Sequence, residues 1–229
     1  MPRYRITFAK TEAMRFTGHL DVHRSWERTF RRAGLPLAYS EGFSPHPRLI
    51  LAAALPLGCV SDEDLLDAWL TEDVPDEAVA SALAEAAPPG LRVVAISRAH
   101  PGEPALPTQV GSAVYDVRLE NASSVADLPG ACAQVLSAES LPRQRRGKDY
   151  DLRPLIEALE VEPSGGLRMQ LAAREGATGR PEEVLLALNL DPARAFIRRT
   201  RLILVGQEGV GAKPLSLPRD QGASPLRAP

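Results

Sequence analysis

Tyr4-Arg5-Ile6-Thr7-Phe8 alternates polar and apolar positions and predicts a half-buried strand. Leu20, Trp26, Phe30 and Ala33 then recur at roughly helical spacing and predict an amphipathic helix. Thr17 is placed to cap its start, Asp21 suits the positive end of its dipole, and Gly34 followed by Pro36 marks its stop. The pattern then gives a short strand at Leu37–Tyr39, an apolar run at Leu49–Leu55, a segment Leu65–Leu70 with strand character, a helix over 76–87 and a strand at Leu91–Ser97. Ala99–Gly111 is rich in Pro and Gly and reads as a linker.

A second series opens at Ala113–Leu119 with a clear alternating strand. It continues with a helix around Val125–Ala138, strands at Leu159–Glu162 and Leu167–Ala172, a helix at Pro181–Leu188 and a closing strand at Phe196–Val205. Both series read β-α-β-β-α-β, so the expected class is α+β with two tandem ferredoxin-like units. The expected division is 1–98 for the first unit, 99–111 for the linker and 112–205 for the second. Periodicity is lost over 206–229, where disorder is expected.

Charge changes this picture through its placement. The formal net charge is only −2, yet residues 1–50 are rich in arginine and 61–90 carry only acids. Arg24, Arg28, Arg31 and Arg32 are spaced i, i+4, i+7, i+8, so they share one side of the predicted helix; Glu27 can neutralise Arg31. Such a stripe can follow a phosphate backbone, or it can be an ordinary solvated face. The Asp62–Glu85 segment is expected to present a separate acidic surface to a protein partner. In the second series Arg143-Gln144-Arg145-Arg146-Gly147-Lys148 is a basic run that either binds phosphate or is a surface loop, and Asp151 is placed to cap a short helix beginning near Pro154. Arg198, Arg199 and Arg201 fall on both faces of the last strand.

The chemistry-bearing residues gather between Arg15 and Arg48, where three of the four histidines lie. In Gly42-Phe43-Ser44-Pro45-His46-Pro47 the two prolines fix φ and push their predecessors towards extended backbone. The stiff loop presents Phe43 and His46; Phe43 is either an aromatic platform for an unpaired base beside the basic helix or, in a structural turn, a plug of the core. His19 and His23 have helical metal-ligand spacing and His46 offers a third nitrogen, but no Glu accompanies the pair in a His-Glu-x-x-His arrangement. No metal and no cofactor are expected. Without metal, His19 and His46 are either an acid–base pair or groups that brace the loop.

These same residues resemble the radical-SAM-linked protein family, a bacterial domain encoded beside or fused to a B12-type radical SAM protein. The resemblance rests on Arg15-Phe16, Gly18-His19-Leu20-Asp21, Arg31-Arg32-Ala33-Gly34-Leu35-Pro36, Tyr39-Ser40-Glu41-Gly42-Phe43-Ser44-Pro45-His46-Pro47-Arg48 and Leu55-Pro56-Leu57-Gly58. Softer matches are Arg146-Gly147-Lys148 with Asp151-Leu152-Arg153-Pro154-Leu155, and Ile197-Arg198-Arg199-Thr200. The chain departs from the pattern at Ser44, where the family tends to carry Asn. A radical SAM protein as partner is what the resemblance implies.

Cys59 and Cys132 are the only cysteines, too few for the roughly four thiolates of a cluster, so such chemistry would belong to the partner. No run approaches the ~20 apolar residues of a membrane helix, and no secretory leader is recognisable, so a cytoplasmic protein without membrane contact is expected. The expected function is an RNA-binding or substrate-presenting accessory protein in RNA maturation or modification. Its RNA contacts are expected at Arg15, Arg24, Arg28, Arg31, Phe43, Arg48, Arg146, Lys148 and Arg153. The alternative is a metal-independent RNA-processing endonuclease using His19 and His46.

Overall fold

A computed structural model describes residues 1–120, 127–145 and 147–205. Arg146 and the 206–229 tail, both named above, lie outside the described residues. Among the described residues the fold is mixed α and β, with five helices and a nine-stranded sheet.

The first half comprises β1 (Arg3–Lys10), α1 (His19–Arg32), β2 (Leu49–Leu51), β3 (Val60–Trp69), α2 (Asp76–Ala86) and β4 (Leu91–Arg98). β1 pairs antiparallel with both β3 and β4, and β2 pairs antiparallel with β3, which gives the order β2-β3-β1-β4. The second half comprises α3 (Leu106–Gln109), β5 (Val110–Leu119), α4 (Leu128–Ser137), the hairpin β6 (Pro142–Arg145) and β7 (Lys148–Asp151), β8 (Ile156–Val161), β9 (Leu167–Arg174), β10 (Ala177–Thr178), α5 (Pro181–Ala187) and β11 (Ala195–Leu204). Its main strands run β8-β9-β5-β11.

The halves share one sheet because β11 pairs in parallel with the start of β3, Arg198 opposite Val60 and Arg199 opposite Ser61. β3 therefore divides one edge between two partners: its first residues take β11, and Leu66–Ala68 take β2.

Helices α1 and α2 cover one face of the first half. Trp26, Phe30, Val79 and Leu83 are fully buried there against Tyr4, Ile6 and Phe8. Trp26 meets Phe8 edge-on, with ring centroids 5.1 Å apart, a favoured aromatic geometry. Helices α4 and α5 cover the corresponding face of the second half, where Cys132, Val135, Val184 and Leu185 pack on Tyr115, Val117, Met169 and Ile197. Leu66 joins the first core, while its neighbour Leu65 faces Leu106, Val110 and Leu204 on the other side of the sheet, as the two-residue period of a strand requires.

Several local expectations change. Leu20 is exposed and Val22 and Thr29 take the inward positions of α1. The residue before α1 is Gly18, and Thr17 makes no cap; its carbonyl instead accepts from Lys10 Nζ at 3.0 Å. The helix stop holds: Gly34 has φ +65° and Leu35 N–H returns to Phe30 O at 3.2 Å. Leu37–Tyr39 makes only isolated bridges to Leu70 and Pro47, and the Leu49–Leu55 run is strand only as far as Leu51. β3 starts at Val60 rather than Leu65, so four acids of the supposed acidic surface lie in a strand. The 99–111 segment holds α3, and its Leu106 is fully buried. Within the basic run of the second half, Arg143, Gln144 and Arg145 lie on β6, Lys148 lies on β7 and Gly147 has φ +76°.

Candidate functional site

The exposed face of α1 is built by what its own acids do. Glu27 accepts from His23 Nδ1 at 3.1 Å rather than pairing with Arg31, and Asp21 takes Arg24 at 3.1 Å. Arg28 and Arg31 are exposed and, among the described residues, have no ion-pair partner. Arg32 is spent on the end of α2, where its Nη2 donates to Ala86 O at 2.6 Å. His23 contacts Leu49 O through Nε2 at 3.2 Å, which ties α1 to the strand that follows the Gly42–Pro47 loop.

That loop is closed by its own backbone. Ser40 N–H donates to His46 O at 2.8 Å, His46 N–H donates to Ser40 Oγ at 3.0 Å, and Arg48 N–H donates to Ala38 O at 2.8 Å. Gly42 sits at φ +122°, a conformation L side chains rarely adopt, and turns the chain at the tip. Phe43 is wholly exposed. Arg48 lies 4.9 Å over the Trp69 ring, and Arg3 lies 5.7 Å from the same ring, so the indole orients two guanidiniums.

Two of the arginines expected to touch RNA are otherwise engaged. Arg15 donates to Gly58 O at 2.7 Å and to Ala195 O at 3.1 Å, joining the entry to α1 with β11. Arg153 donates to Leu136 O and to Ile156 O, both at 2.9 Å, and so fastens the end of α4. The residue that caps the Arg153–Leu155 turn is Leu152, not Asp151; Asp151 stands just before it and accepts from Arg153 N–H at 2.9 Å and from Leu141 N–H at 2.7 Å. Lys148 is exposed on β7, in the hairpin.

His19 and His46 sit in different surroundings. His46 is exposed on the loop, whereas His19 lines a cavity of about 10 Å³ with Lys10, Thr17, Leu55 and Asp64. That volume is about one water-sized sphere, too small for a substrate. Burial lowers the His19 pKa, and the charges of His23 and Arg199 act in the same direction against a smaller opposing effect of Asp64. Among the described residues no group of three His, Cys, Asp or Glu side chains is placed to hold a metal ion.

Beside this cavity lies a buried polar cluster that sequence pattern did not single out. Arg199 forms two 2.8 Å bonds to Asp64 and donates to Ala54 O at 3.0 Å and Ala53 O at 3.2 Å. The Tyr115 side chain is a further hydrogen-bond partner of Arg199, and the ion pair with Asp64 holds the guanidinium firmly protonated. Lys10 Nζ donates to the carbonyls of Arg15, Thr17 and Cys59 at 3.0 to 3.2 Å. Burial lowers the Lys10 pKa and pushes the Cys59 thiol up to about 12, so Cys59 is a poor nucleophile. Every donor here is satisfied, and the cluster locks the two halves together where β11 meets β3.

The acidic segment is paired in part within the chain. Asp67 holds Arg5 through bonds of 2.8 and 3.0 Å, and Asp73 and Asp76 each hold Arg98 at 2.6 Å. Glu63, Glu72, Glu77 and Glu85 remain exposed, as does most of the Asp73 side chain.

Of the residues expected to contact RNA, Arg24, Arg28, Arg31, Phe43, Arg48 and Lys148 are exposed, and the first five lie within the stretch that carries the densest sequence motifs. Residues 3–181 match the sequence profile of the family described as "Uncharacterized protein conserved in bacteria (DUF2344)". The chain belongs to this family. The match covers more than half of the chain, including all of α1, the loop and the buried cluster up to Asp64, and stops short of β11. No curated protein matches the chain. Within the DUF2344 family, then, the residues to weigh are those whose side chains are not consumed by the fold.

Proposed function

We propose that this DUF2344 protein is a cytoplasmic, non-catalytic RNA-binding accessory protein that presents RNA to a radical SAM enzyme during RNA maturation or modification. One observation carries the RNA reading: Arg28 and Arg31 stand exposed and unneutralised on one side of α1, because Glu27 is drawn to His23. Arg24, Arg48 and the exposed ring of Phe43 extend the same chemistry, cations for phosphates and an aromatic face for an unpaired base. The radical SAM partner rests on the motif resemblance of residues 15–58, and the two cysteines, both buried, leave cluster chemistry to that partner.

The fold reading that accompanies this proposal is two tandem ferredoxin-like units fused edge to edge. The strand orders β2-β3-β1-β4 and β8-β9-β5-β11, each with helices on one face, support it.

The test is the salt dependence of binding to a structured or single-stranded RNA. Each phosphate contact contributes roughly 0.7 to 0.9 to the slope of log affinity against log salt. Arg28→Ala with Arg31→Ala should flatten the slope by roughly the share of those contacts, with thermal stability unchanged. An unaltered affinity and slope in the double variant would overturn the reading.

A further inference from the structure

Arg15, fixed by its two carbonyl partners, lies between two rings. Its guanidinium carbon is 5.2 Å from the centre of Phe16 and 5.0 Å from that of Phe196. Phe196 in turn has Arg118 at 4.6 Å and Arg198 at 5.9 Å. The result is a ladder of alternating aromatic and cationic groups, Phe16, Arg15, Phe196, Arg118, running from the entry to α1 onto the second half of the sheet.

The ladder ends on the sheet face away from α4 and α5. Tyr115, Val117 and Ile197 face the core under α4 and α5, so Asp116, Arg118, Phe196 and Arg198, alternating with them, face the opposite way. Arg118 is exposed there, and Asp116, Phe196 and Arg198 are half-buried. Beside Phe196 is a cleft of about 240 Å³ lined by Arg118, Arg198, Glu162, Ser164 and Gly166. Pockets that enclose a whole small molecule are roughly 300 to 1,000 Å³, so this cleft suits one unit of a longer ligand.

Its acids are already occupied. Arg168 holds Asp116 at 2.9 Å and Glu162 at 3.3 Å, while Arg198 is 3.8 Å from Asp62. Arg118 is exposed and has no carboxylate partner among the described residues. Phe16, 74 % exposed, leaves most of its ring free at the other end of the ladder.

We infer that the Phe16–Arg15–Phe196–Arg118 ladder and its cleft form a second contact for single-stranded RNA, with a base stacked on Phe16 and the backbone phosphate on Arg118. This rests on the reading of the chain as an RNA-binding protein and adds to the α1 face a surface that begins beside α1 at Phe16 and continues on β5 and β11. An unpaired base supplies the flat face a phenyl ring takes up, and its phosphate supplies the charge that Arg118 lacks.

The experiment is fluorescence anisotropy of a labelled twelve-nucleotide oligo(U) with the full chain, in parallel for wild type, Phe16→Ala with Arg118→Ala, Phe16→Tyr, and Arg28→Ala with Arg31→Ala. Both ladder positions are exposed, so thermal melting should show all four folded alike. The ladder double variant should bind about tenfold or more weakly, and Phe16→Tyr should bind as wild type. Ladder affinity within twofold of wild type, with binding lost in the helix variant, overturns this inference and leaves the α1 reading intact. The reverse pattern supports the ladder and removes the α1 reading. Absence of binding by the wild type overturns both. Displacement of oligo(U) from the ladder by poly-glutamate as readily as by unlabelled RNA would assign the surface to an acidic protein and overturn base stacking.

Discussion

Arg199 on the last strand reaches Asp64 on β3 through two hydrogen bonds of 2.8 Å, across 135 positions of chain, with both side chains buried. The pair sits where β11 and β3 run parallel, the strand pairing that joins the halves in one sheet. Removing one member leaves an uncompensated buried charge, which typically costs about 3–5 kcal/mol. Asp64→Ala should therefore destabilise the protein by about that amount in urea denaturation. Replacing both partners by apolar residues of similar volume should cost less than either single change. A single variant as stable as wild type would show that the junction does not depend on this pair.

His19 gives the acid side of the stability profile a definite sign. Its pKa in the folded state lies below the ordinary histidine value because burial disfavours the charged form. The unfolded chain therefore binds more protons than the native one below about pH 6.5, and stability rises with pH through that window. Stability should fall as pH drops below about 6.5, and His19→Gln should remove part of that fall while leaving the neutral-pH value less affected. Melting temperature against pH for both proteins checks this. Parallel curves would show that His19 takes its proton equally in both states.

Gly90 precedes β4 at φ +99° and accepts from Thr11 N–H at 2.9 Å. A Cβ there would lie 2.5 Å from Met14 Cγ and 3.0 Å from its backbone nitrogen. Backbone strain at such a position costs of order 1–3 kcal/mol before the contact is relieved. Gly90→Ala should lower stability by at least about 1 kcal/mol in chemical denaturation, whereas Gly102→Ala, whose Cβ meets nothing within 4 Å, should cost only the φ term.

The sequence pattern carried α1, α2, α4, α5 and most strands because their signals are local, and it missed α3 in the segment read as a linker. Gly34 and Pro36 end α1 where expected, and the alternation at 113–119 is β5. What it missed was decided at long range. Leu20 fits the apolar spacing of α1, but the inward positions of that helix fall on Val22, Trp26, Thr29 and Phe30. Arg199, one of three clustered arginines, is buried only because Asp64, Tyr115 and two loop carbonyls converge on it from elsewhere in the chain. Arg15 and Arg153 look like surface cations by composition, yet each gives its Nε and one terminal nitrogen to backbone carbonyls. Arg28 and Arg31 were legible as a stripe; that they remain bare depended on the choice of Glu27 between His23 and Arg31, which spacing alone left open.

The most direct test of the central claim is ultraviolet crosslinking of a 4-thiouridine oligonucleotide to the full chain, with the crosslinked peptides identified by mass spectrometry. The account predicts crosslinks at Phe43 and on the exposed side of α1 around Arg24, Arg28 and Arg31, suppressed by rising salt. RNA that crosslinks to the chain but nowhere between residues 24 and 48 would contradict it.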